Sequence, residues 1–536
     1  MSWLEALEFI LVAAISAITS RYYLHMLQLE SYQLDGYGRW LGKNRDKLLG
    51  WTLNIGVIAV IAKLLLPLIL SLFMNREAAR IVSVVIVLIG FGAAAWRLNE
   101  TQYITPPKKP LAYTPRMKRL FAAACLVALA AAAVLSWLGV PPYLLFAGIP
   151  YLALAAGYLM QPVEKRVNAY FFNDARQKLE ARSDLIKIGI TGSYGKTSTK
   201  FILAAILSEK YSVLATPSSF NTPMGLTRVI RENLEPFHQV FVAEMGARHA
   251  GDIKELCDLV RPKYGILTSV GEQHLETMHN IETIANTKFE LIEGLEPGGV
   301  AFFGADDGGW CDRLYARAKG EKYRAGLSTG SGFLSMYAED ITAGPAGSRF
   351  TLCDGEGGRV ACETKLLGKH NIQNIVLSCQ VARRLGMTLE EIARGVARVQ
   401  PVEHRLQLIE GANGMTVIDD AFNANPSGAA AAFEVLSGFP GRHIVVTPGL
   451  VEQGEKEEEL NFRFGQQMAA ACDIAILVGP RRTRPIARGL LSTGFDRENL
   501  FPVASLEDAK AIIARVARPG DVILFENDLP DNYSEG

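Results

Sequence analysis

Several stretches of this chain are apolar almost without interruption, and they limit the fold more than any other feature. Residues 120–139 (LFAAACLVALAAAAVLSWLG), 143–160 (YLLFAGIPYLALAAGYLM) and 81–96 carry no charged side chain, and residues 48–74 carry only Lys63. Residues 9–20 form a shorter run, extended by Trp3, Leu4, Leu7 and Leu24. A helix that crosses a bilayer needs about 20 mostly apolar residues. Lipid also demands that the backbone satisfy its own hydrogen bonds. Residues 1–162 are therefore expected to form an α-helical membrane domain with about five transmembrane helices. Glu5 and Glu8 do not suit the positive leading region of a signal peptide, and Pro67 marks a kink.

Basic residues orient these spans. Arg21, Arg39, Lys43, Arg45 and Lys47 follow the first, and Arg97, Lys108, Lys109, Arg116, Lys118 and Arg119 lie between the third and fourth. Lys165 and Arg166 follow the fifth, whereas the alternate connections hold only Arg76 and Arg80 or no basic residue. The positive-inside rule then places the N-terminus outside and the large C-terminal body in the cytoplasm. The expected location is the cytoplasmic (inner) membrane, multi-pass. The segment Tyr22–Trp40 reads either as a helix lying in the membrane interface or as an ordinary loop helix.

Charge separates the two parts. The first 160 residues carry 14 Lys and Arg against 7 Asp and Glu, and the remainder 41 against 48, so the 536-residue chain is neutral. A neutral chain with an acidic body is not a nucleic-acid binder. Seven cysteines without a C-x-x-C pair fit a reducing compartment and exclude a zinc ribbon or a disulfide framework.

From about residue 183, short β-rich runs (IKIGIT, YSVLAT, QVFVAEM, YGILTSV) alternate with helical stretches. That alternation predicts a parallel sheet covered by helices, an α/β fold. A second series (MTVIDDA, HIVVTPG, IAILVG, DVILFE) begins near residue 401. The expected organisation is a linker over 163–182, a central ATP-binding domain over 183–400 and a smaller Rossmann-like C-terminal domain over 401–536. Between strand and helix lies Thr191-Gly192-Ser193-Tyr194-Gly195-Lys196-Thr197-Ser198. Glycines let backbone N–H groups approach phosphate oxygens, and a helix N-terminus adds positive potential. In such a loop Lys196 reaches the terminal phosphates and Thr197 offers its hydroxyl to Mg²⁺. Ile190 stands where the strict P-loop pattern has glycine.

TGSYGKTS resembles the nucleotide loop of the Mur ligase superfamily. Further motifs follow in the family's order: Phe220-Asn221-Thr222-Pro223-Met224-Gly225, Glu244-Met245-Gly246-Ala247, His274-Leu275-Glu276, Lys288-Phe289-Glu290, Gly368-Lys369-His370-Asn371 with Asn374, His404-Arg405, and Asp419-Asp420-Ala421-Phe422-Asn423-Ala424-Asn425-Pro426. The last block most resembles the branch that adds D-alanyl-D-alanine. The resemblance spans about residues 183–536 and implies an ATP-dependent ligase that joins a carboxylate to an amine through an acyl phosphate. It implies ATP at Gly192, Ser193, Gly195, Lys196, Thr197 and Ser198, with Asn371 and Asn374 on adenine, Asp420 on ribose and Arg405 on the γ-phosphate. It implies two Mg²⁺ ions held by Thr197, Glu244, His274 and Lys288. Lysine there is carbamylated in the family; an ordinary solvated lysine is the structural alternative. Lys196, Lys288, His274 and Arg405 would carry catalysis, and Asn221 and Thr222 would line the donor side.

Three departures mark the substrate end. The family's UDP-gripping leading domain is replaced by the apolar spans. Thr447-Pro448-Gly449-Leu450-Val451-Glu452-Gln453-Gly454 stands in place of L-G-x-M-x-E-L-G, and Glu526-Asn527-Asp528 in place of K-G-S. The acidic run Glu452, Glu455, Glu457, Glu458 and Glu459 reads as a helix start or as an attractor for a cationic amine. The expected function is a membrane-anchored peptide ligase of envelope synthesis. Its partners would be ATP, a UDP-linked or lipid-linked carboxylate precursor and an amine such as D-alanyl-D-alanine. A poly-γ-glutamate-type ligase and an ATPase coupled to transport through the spans are the alternatives.

Overall fold

The computed structural model describes residues 3–102, 109–218, 220–272, 275–305, 309–327, 334–344, 347–411, 414–421, 426–451 and 456–527. The chain divides into two compact units, one over Met1–Ala169 and one over Tyr170–Leu529.

The first unit contains α1 (Trp3–Thr19), α2 (Arg21–Leu29), α3 (Leu34–Lys43), α4 (Arg45–Leu70), α5 (Arg76–Gln102), α6 (Pro115–Trp137) and most of α7 (Ile149–Glu180). Five helical stretches are long and apolar enough to cross a membrane. The Thr114 hydroxyl accepts from the Met117 N–H, and Pro115 pre-sets the first turn, so α6 starts sharply. Its Ala124, Ala128 and Ala132 are fully buried and let neighbouring backbones come close. Phe91 meets Tyr143 and Phe146 edge-on, with ring centroids 5.2 and 4.9 Å apart. The outer surface is apolar: Leu68, Phe73, Leu126 and Trp137 are exposed, and only 11% of the Gly50–Leu70 window is buried. A helical hairpin inside a soluble protein would hide these side chains.

Three details add to the expectation. The stretch expected as a linker is mostly helical: residues 163–180 are the second half of α7, and Ala175 and Leu179 pack into the core of the second unit. The segment 22–40 is helical, formed by α2 and most of α3, and one side of it is buried. Tyr23, Leu24, Leu27 and Tyr37 are buried in the helical core, and the Tyr37 hydroxyl donates to the Pro150 carbonyl at 2.7 Å. Lys63, the single charge in its span, is paired with the buried Glu8 at 2.7 Å.

The second unit is built on two sheets. The larger contains β1 (Ile186–Thr191), β2 (Val213–Ala215), β3 (Val240–Glu244), β4 (Tyr264–Leu267), β5 (Val300–Gly304), β6 (Glu321–Leu327), β7 (Met336–Gly344), β8 (Gly347–Asp354) and β9 (Arg359–Thr364), in the order β2-β3-β1-β4-β5-β6-β7-β8-β9. It is parallel as far as β7 and antiparallel beyond. The smaller contains β10 (Gln407–Glu410), β11 (Thr416–Asp420), β12 (His443–Thr447), β13 (Ile474–Val478), β14 (Leu500–Val503) and β15 (Val522–Glu526), in the order β10-β11-β15-β12-β13-β14. The helices between strands include α8 (Lys196–Leu207), α9 (Pro223–Asn233), α10 (Asp252–Val260), α11 (Leu275–Met278), α12 (Ile281–Glu293), α13 (Trp310–Arg317), α14 (Lys369–Arg384), α15 (Leu389–Arg398), α16 (Pro426–Ser437) and α17 (Glu457–Ala469). Strand order reverses at β1, and in open α/β sheets ligands bind at the carboxyl end of such a switch point.

The apolar surface of the five helices predicts that the full-length chain stays in the membrane pellet after alkaline carbonate washing and enters solution only with detergent. Release by carbonate alone would contradict the spanning reading.

Candidate active site

The loop Gly192–Gly195 leaves the end of β1 and opens α8, with Gly195 at φ +79° as the helix cap. Two features require glycine in this loop. A Cβ on Gly192 would stand 2.0 Å from the Thr268 hydroxyl oxygen, and a Cβ on Gly195 would stand 2.7 Å from Asn374 Oδ1 in a left-handed conformation. The loop is held by the segment after β4. The Ser193 N–H donates to the Ser269 carbonyl at 2.8 Å, and the Ser193 hydroxyl donates to the Gly271 carbonyl at 2.9 Å. The Tyr194 N–H donates to the Ser269 hydroxyl at 3.0 Å, and the Thr268 hydroxyl donates to the Tyr194 carbonyl at 2.6 Å. The Tyr194 hydroxyl closes the set on the Glu272 carbonyl at 3.0 Å. The loop is thus shaped in advance for an anion.

Lys196 folds back over it and donates to the Gly192 and Ser193 carbonyls at 2.6 and 2.9 Å. Burial lowers its ammonium to about 8, with the charge of Arg405 adding to the fall and Glu244 opposing it. An arriving phosphate would favour the charged form further.

Glu244 ends β3, and its side chain is buried. Thr197 donates to its Oε1 at 3.1 Å, Asn221 Nδ2 to the same oxygen at 3.0 Å, and Lys200 Nζ to Oε2 at 3.0 Å. Lys200 also donates to the Ser218 carbonyl and is fully buried. One carboxylate therefore joins the phosphate loop, the first turns of α8 and the loop before α9. Sequence reasoning missed Lys200. The available signal was its position four residues after Lys196, on the same helix face. Among the described residues no three His, Cys, Asp or Glu side chains gather as a metal cluster. The hard oxygens of Glu244 and Thr197, already within hydrogen-bond distance, suit Mg²⁺. His274 lies outside the described residues, as do residues 422–425 of the Asp419–Pro426 block.

Lys288 is buried on α12. Burial lowers its amine to about 7, and the positive charge of Lys196 pushes the same way. Glu290, two residues on, is structural: it accepts from the Gly251 and Lys254 N–H groups at 2.8 and 3.0 Å and caps α10. Thr222 is likewise an N-cap, accepting from Gly225 N at 3.2 Å, and so presents α9 with its hydroxyl occupied. Asn374 packs against Gly195, at the phosphate loop. Asn371 donates its amide to the Leu367 carbonyl at 2.8 Å, leaving its oxygen for other contacts.

Arg405 comes from the C-terminal domain, yet its charge acts on Lys196, Lys200 and Asp420. That coupling puts its guanidinium in the same electrostatic neighbourhood as the loop. Asp420 accepts from the Leu406 N–H at 3.1 Å, and burial raises its carboxyl to about 6 against the pull of Arg405. The strand register sets Glu526 opposite Asp420, and burial with that neighbour raises the Glu526 carboxyl well above its ordinary value. Ion pairs Lys456–Glu272 (2.9 Å) and Lys369–Glu434 (2.7 Å) also join the two domains. In the acidic run, Glu452 and Glu455 lie outside the described residues. Glu457–Glu459 occupy the first turn of α17, with Glu458 on Arg488 and Glu459 on Arg463, which is the helix-start arrangement.

Known proteins match this architecture. Residues 190–382 match the Mur ligase middle domain and residues 404–526 the glutamate ligase domain of Mur ligases. The chain is 32% identical over 372 residues to the UDP-N-acetylmuramoyl-tripeptide–D-alanyl-D-alanine ligase of Mycobacterium leprae, covering 63% of this chain and 70% of that protein. The Bacillus subtilis ligase of the same name is 29% identical over 346 residues, covering 63% and 72%. Among solved structures, MurF from Acinetobacter baumannii superposes with a TM-score of 0.62 at 26% identity, over 69% of this chain and 79% of that one. MurF from Thermotoga maritima in complex with ADP gives 0.60 at 25% identity, over 69% and 82%.

Replacing Lys200 with Met leaves Glu244 buried without its cation. Breaking such a pair costs about 3–5 kcal/mol, read as a lowered unfolding midpoint in denaturant. The double replacement Lys200→Met with Glu244→Gln is expected to regain most of that stability and none of the ligase activity.

Proposed function

The chain belongs to the Mur ligase family and is an ATP-dependent acid–amino-acid ligase of the MurF kind, and we propose that it adds D-alanyl-D-alanine to a muramoyl tripeptide at the cytoplasmic face of the membrane. The observation that carries the reading is Glu244 gathering the phosphate loop and the Asn221 loop onto one carboxylate. It brings the nucleotide side and the donor side within one short span.

Two anions, the ATP phosphates and the donor carboxylate, must approach each other, so the site has to neutralise charge. The backbone N–H groups of the 192–198 loop receive the β- and γ-phosphates. Lys196 turns its ammonium from the Gly192 and Ser193 carbonyls to them. Arg405 adds a second cation from the C-terminal domain, which ties catalysis to domain closure. Asn221 orients the donor carboxylate, Thr222 fixes the turn that presents it, and Asn371 and Asn374 lie toward the base. Asp420 holds Arg405 and Leu406 in place beside the ribose position. When bound, Mg²⁺ supplies charge neutralisation between the phosphates and the carboxylate; Thr197 and Glu244 would hold one ion, and His274 with a carbamylated Lys288 a second. The amine then displaces phosphate from the acyl phosphate, giving amide, ADP and inorganic phosphate.

Lys288 is suited to carbamylation because an amine near pKa 7 is substantially neutral at physiological pH. The neutral amine adds CO₂ and releases one proton, which exchanges a buried cation for a carboxylate-like anion. The five apolar helices would anchor the ligase, and the donor would be the UDP-linked tripeptide or a lipid-linked equivalent.

Incubating the detergent-purified protein with ATP, Mg²⁺, D-alanyl-D-alanine and UDP-linked muramoyl tripeptide is expected to yield the pentapeptide by mass spectrometry, with one phosphate per product. A preparation that binds ATP and makes no pentapeptide contradicts the substrate assignment. Lys196→Ala is expected to lower kcat by about 10²–10³-fold, the scale for losing one group that stabilises transition-state charge. For Lys288, protonation below its shifted value blocks CO₂ addition. Ligase rate should therefore fall on the acid side, and ¹³C-bicarbonate should give a carbamate NMR signal that Lys288→Ala removes.

A further inference from the structure

The outer end of the helical unit holds a cleft of about 520 Å³ between the start of α1, the end of α4 and the start of α5. Its polar wall contains Glu5, Glu8, Lys63, Arg76 and Arg80, an unusual density of charge for helices with apolar outer faces. The two carboxylates are each taken by a cation: Glu8 pairs with Lys63 at 2.7 Å and Glu5 with Arg80 at 2.5 Å. Arg76 has no carboxylate partner among the described residues. It lies one turn before Arg80 on α5, so both guanidinium groups face the same side. Three cations against two carboxylates leave the cleft net positive, with the excess at Arg76. The rest of the lining is mostly apolar, with Leu4, Pro67, Leu68 and Val84 on the same three helices as the charged residues.

We propose that this cleft binds the phosphate of an anionic lipid head group, with Arg76 and Arg80 on the phosphate oxygens and the acyl chain along the apolar lining. The proposal rests on the reading that the five helices cross a bilayer. Planar guanidinium groups match phosphate geometry with paired hydrogen bonds. The cleft extends inward from the helix ends to Lys63, seven residues before the end of α4 and therefore about 10 Å deep at 1.5 Å per residue. That is the depth at which a head group meets its acyl chains. A free phosphate ion would use the cations but leave the apolar lining bare. The site lies away from the nucleotide loop in sequence and in chemistry, and it gives the helical unit a task beyond anchoring.

The test uses the full-length protein in detergent, exposed in turn to phosphatidylglycerol, phosphatidylcholine and inorganic phosphate, with bound species counted by native mass spectrometry. The expected result is one retained phosphatidylglycerol, at least tenfold preferred over phosphatidylcholine. Arg76→Gln should lower its occupancy at least tenfold and Arg76→Lys restore part of it. Lys118→Gln, at the other end of the bundle, should leave it unchanged. Arg76 is exposed, so its replacement should leave ligase turnover at the wild-type level, which reports an intact fold. Equal phosphatidylglycerol retention by wild type and Arg76→Gln overturns the proposal. Binding of inorganic phosphate with no retained lipid assigns the site to a free anion and overturns the lipid. A chain that dissolves without detergent refutes the spanning reading itself, a failure distinct from loss of the lipid site.

Discussion

One buried carboxylate, Glu244, organises the ligase body. It ends a central strand, and three side chains from two segments donate to its two oxygens: Thr197 and Lys200 from α8, and Asn221 from the loop before α9. Burying a carboxylate with a lysine is costly unless both are fully hydrogen-bonded. Here Lys200 finds a second acceptor in the Ser218 carbonyl, and the Glu244 N–H donates to Thr216 at 3.2 Å. The cluster thereby sets the phosphate loop against the loop that precedes α9. The remaining staples, from Thr268, Ser269 and Gly271, fix the shape of the loop itself.

Much of this was legible in the residues. Alternating β-rich and helical runs predicted the two α/β sheets, and the glycine pattern located the loop because both constraints are local. Glu244 was readable as a strand-end acid. Lys200 was marked only by its place one turn after Lys196, since its partners sit 44 and 18 residues away. Asn371 and Thr222 were placed on ligands through the family resemblance, but polar side chains of this kind also cap turns, and both make such local bonds here. The helix over residues 163–180 was not legible, because its apolar positions, Ala175 and Leu179, face a core that the local sequence does not reveal.

The helical unit follows a different rule. Apolar residues fill its core and also cover its outer surface, and charged pairs lie toward its two ends. Arg119 holds Glu164 with two bonds of 2.7 and 2.9 Å near the start of α6, while Glu5, Glu8, Lys63 and Arg80 pair at the other end. Sequence showed Lys63 as an isolated intramembrane charge. The structure pairs it with Glu8 across 55 residues, which removes the main sign of a charge-lined transport path. The ligase machinery and the apolar helices are thus two physically distinct solutions within one chain, joined through the continuous helix α7.

The central claim is that this site transfers phosphate to a carboxylate before the amide forms. The most direct measurement uses a donor whose reacting carboxylate carries ¹⁸O, followed by mass analysis of the released phosphate. The account predicts one ¹⁸O atom in each phosphate formed, because the carboxylate oxygen becomes the bridge of the acyl phosphate and leaves with phosphorus. Phosphate free of ¹⁸O, released in step with amide formation, would contradict it.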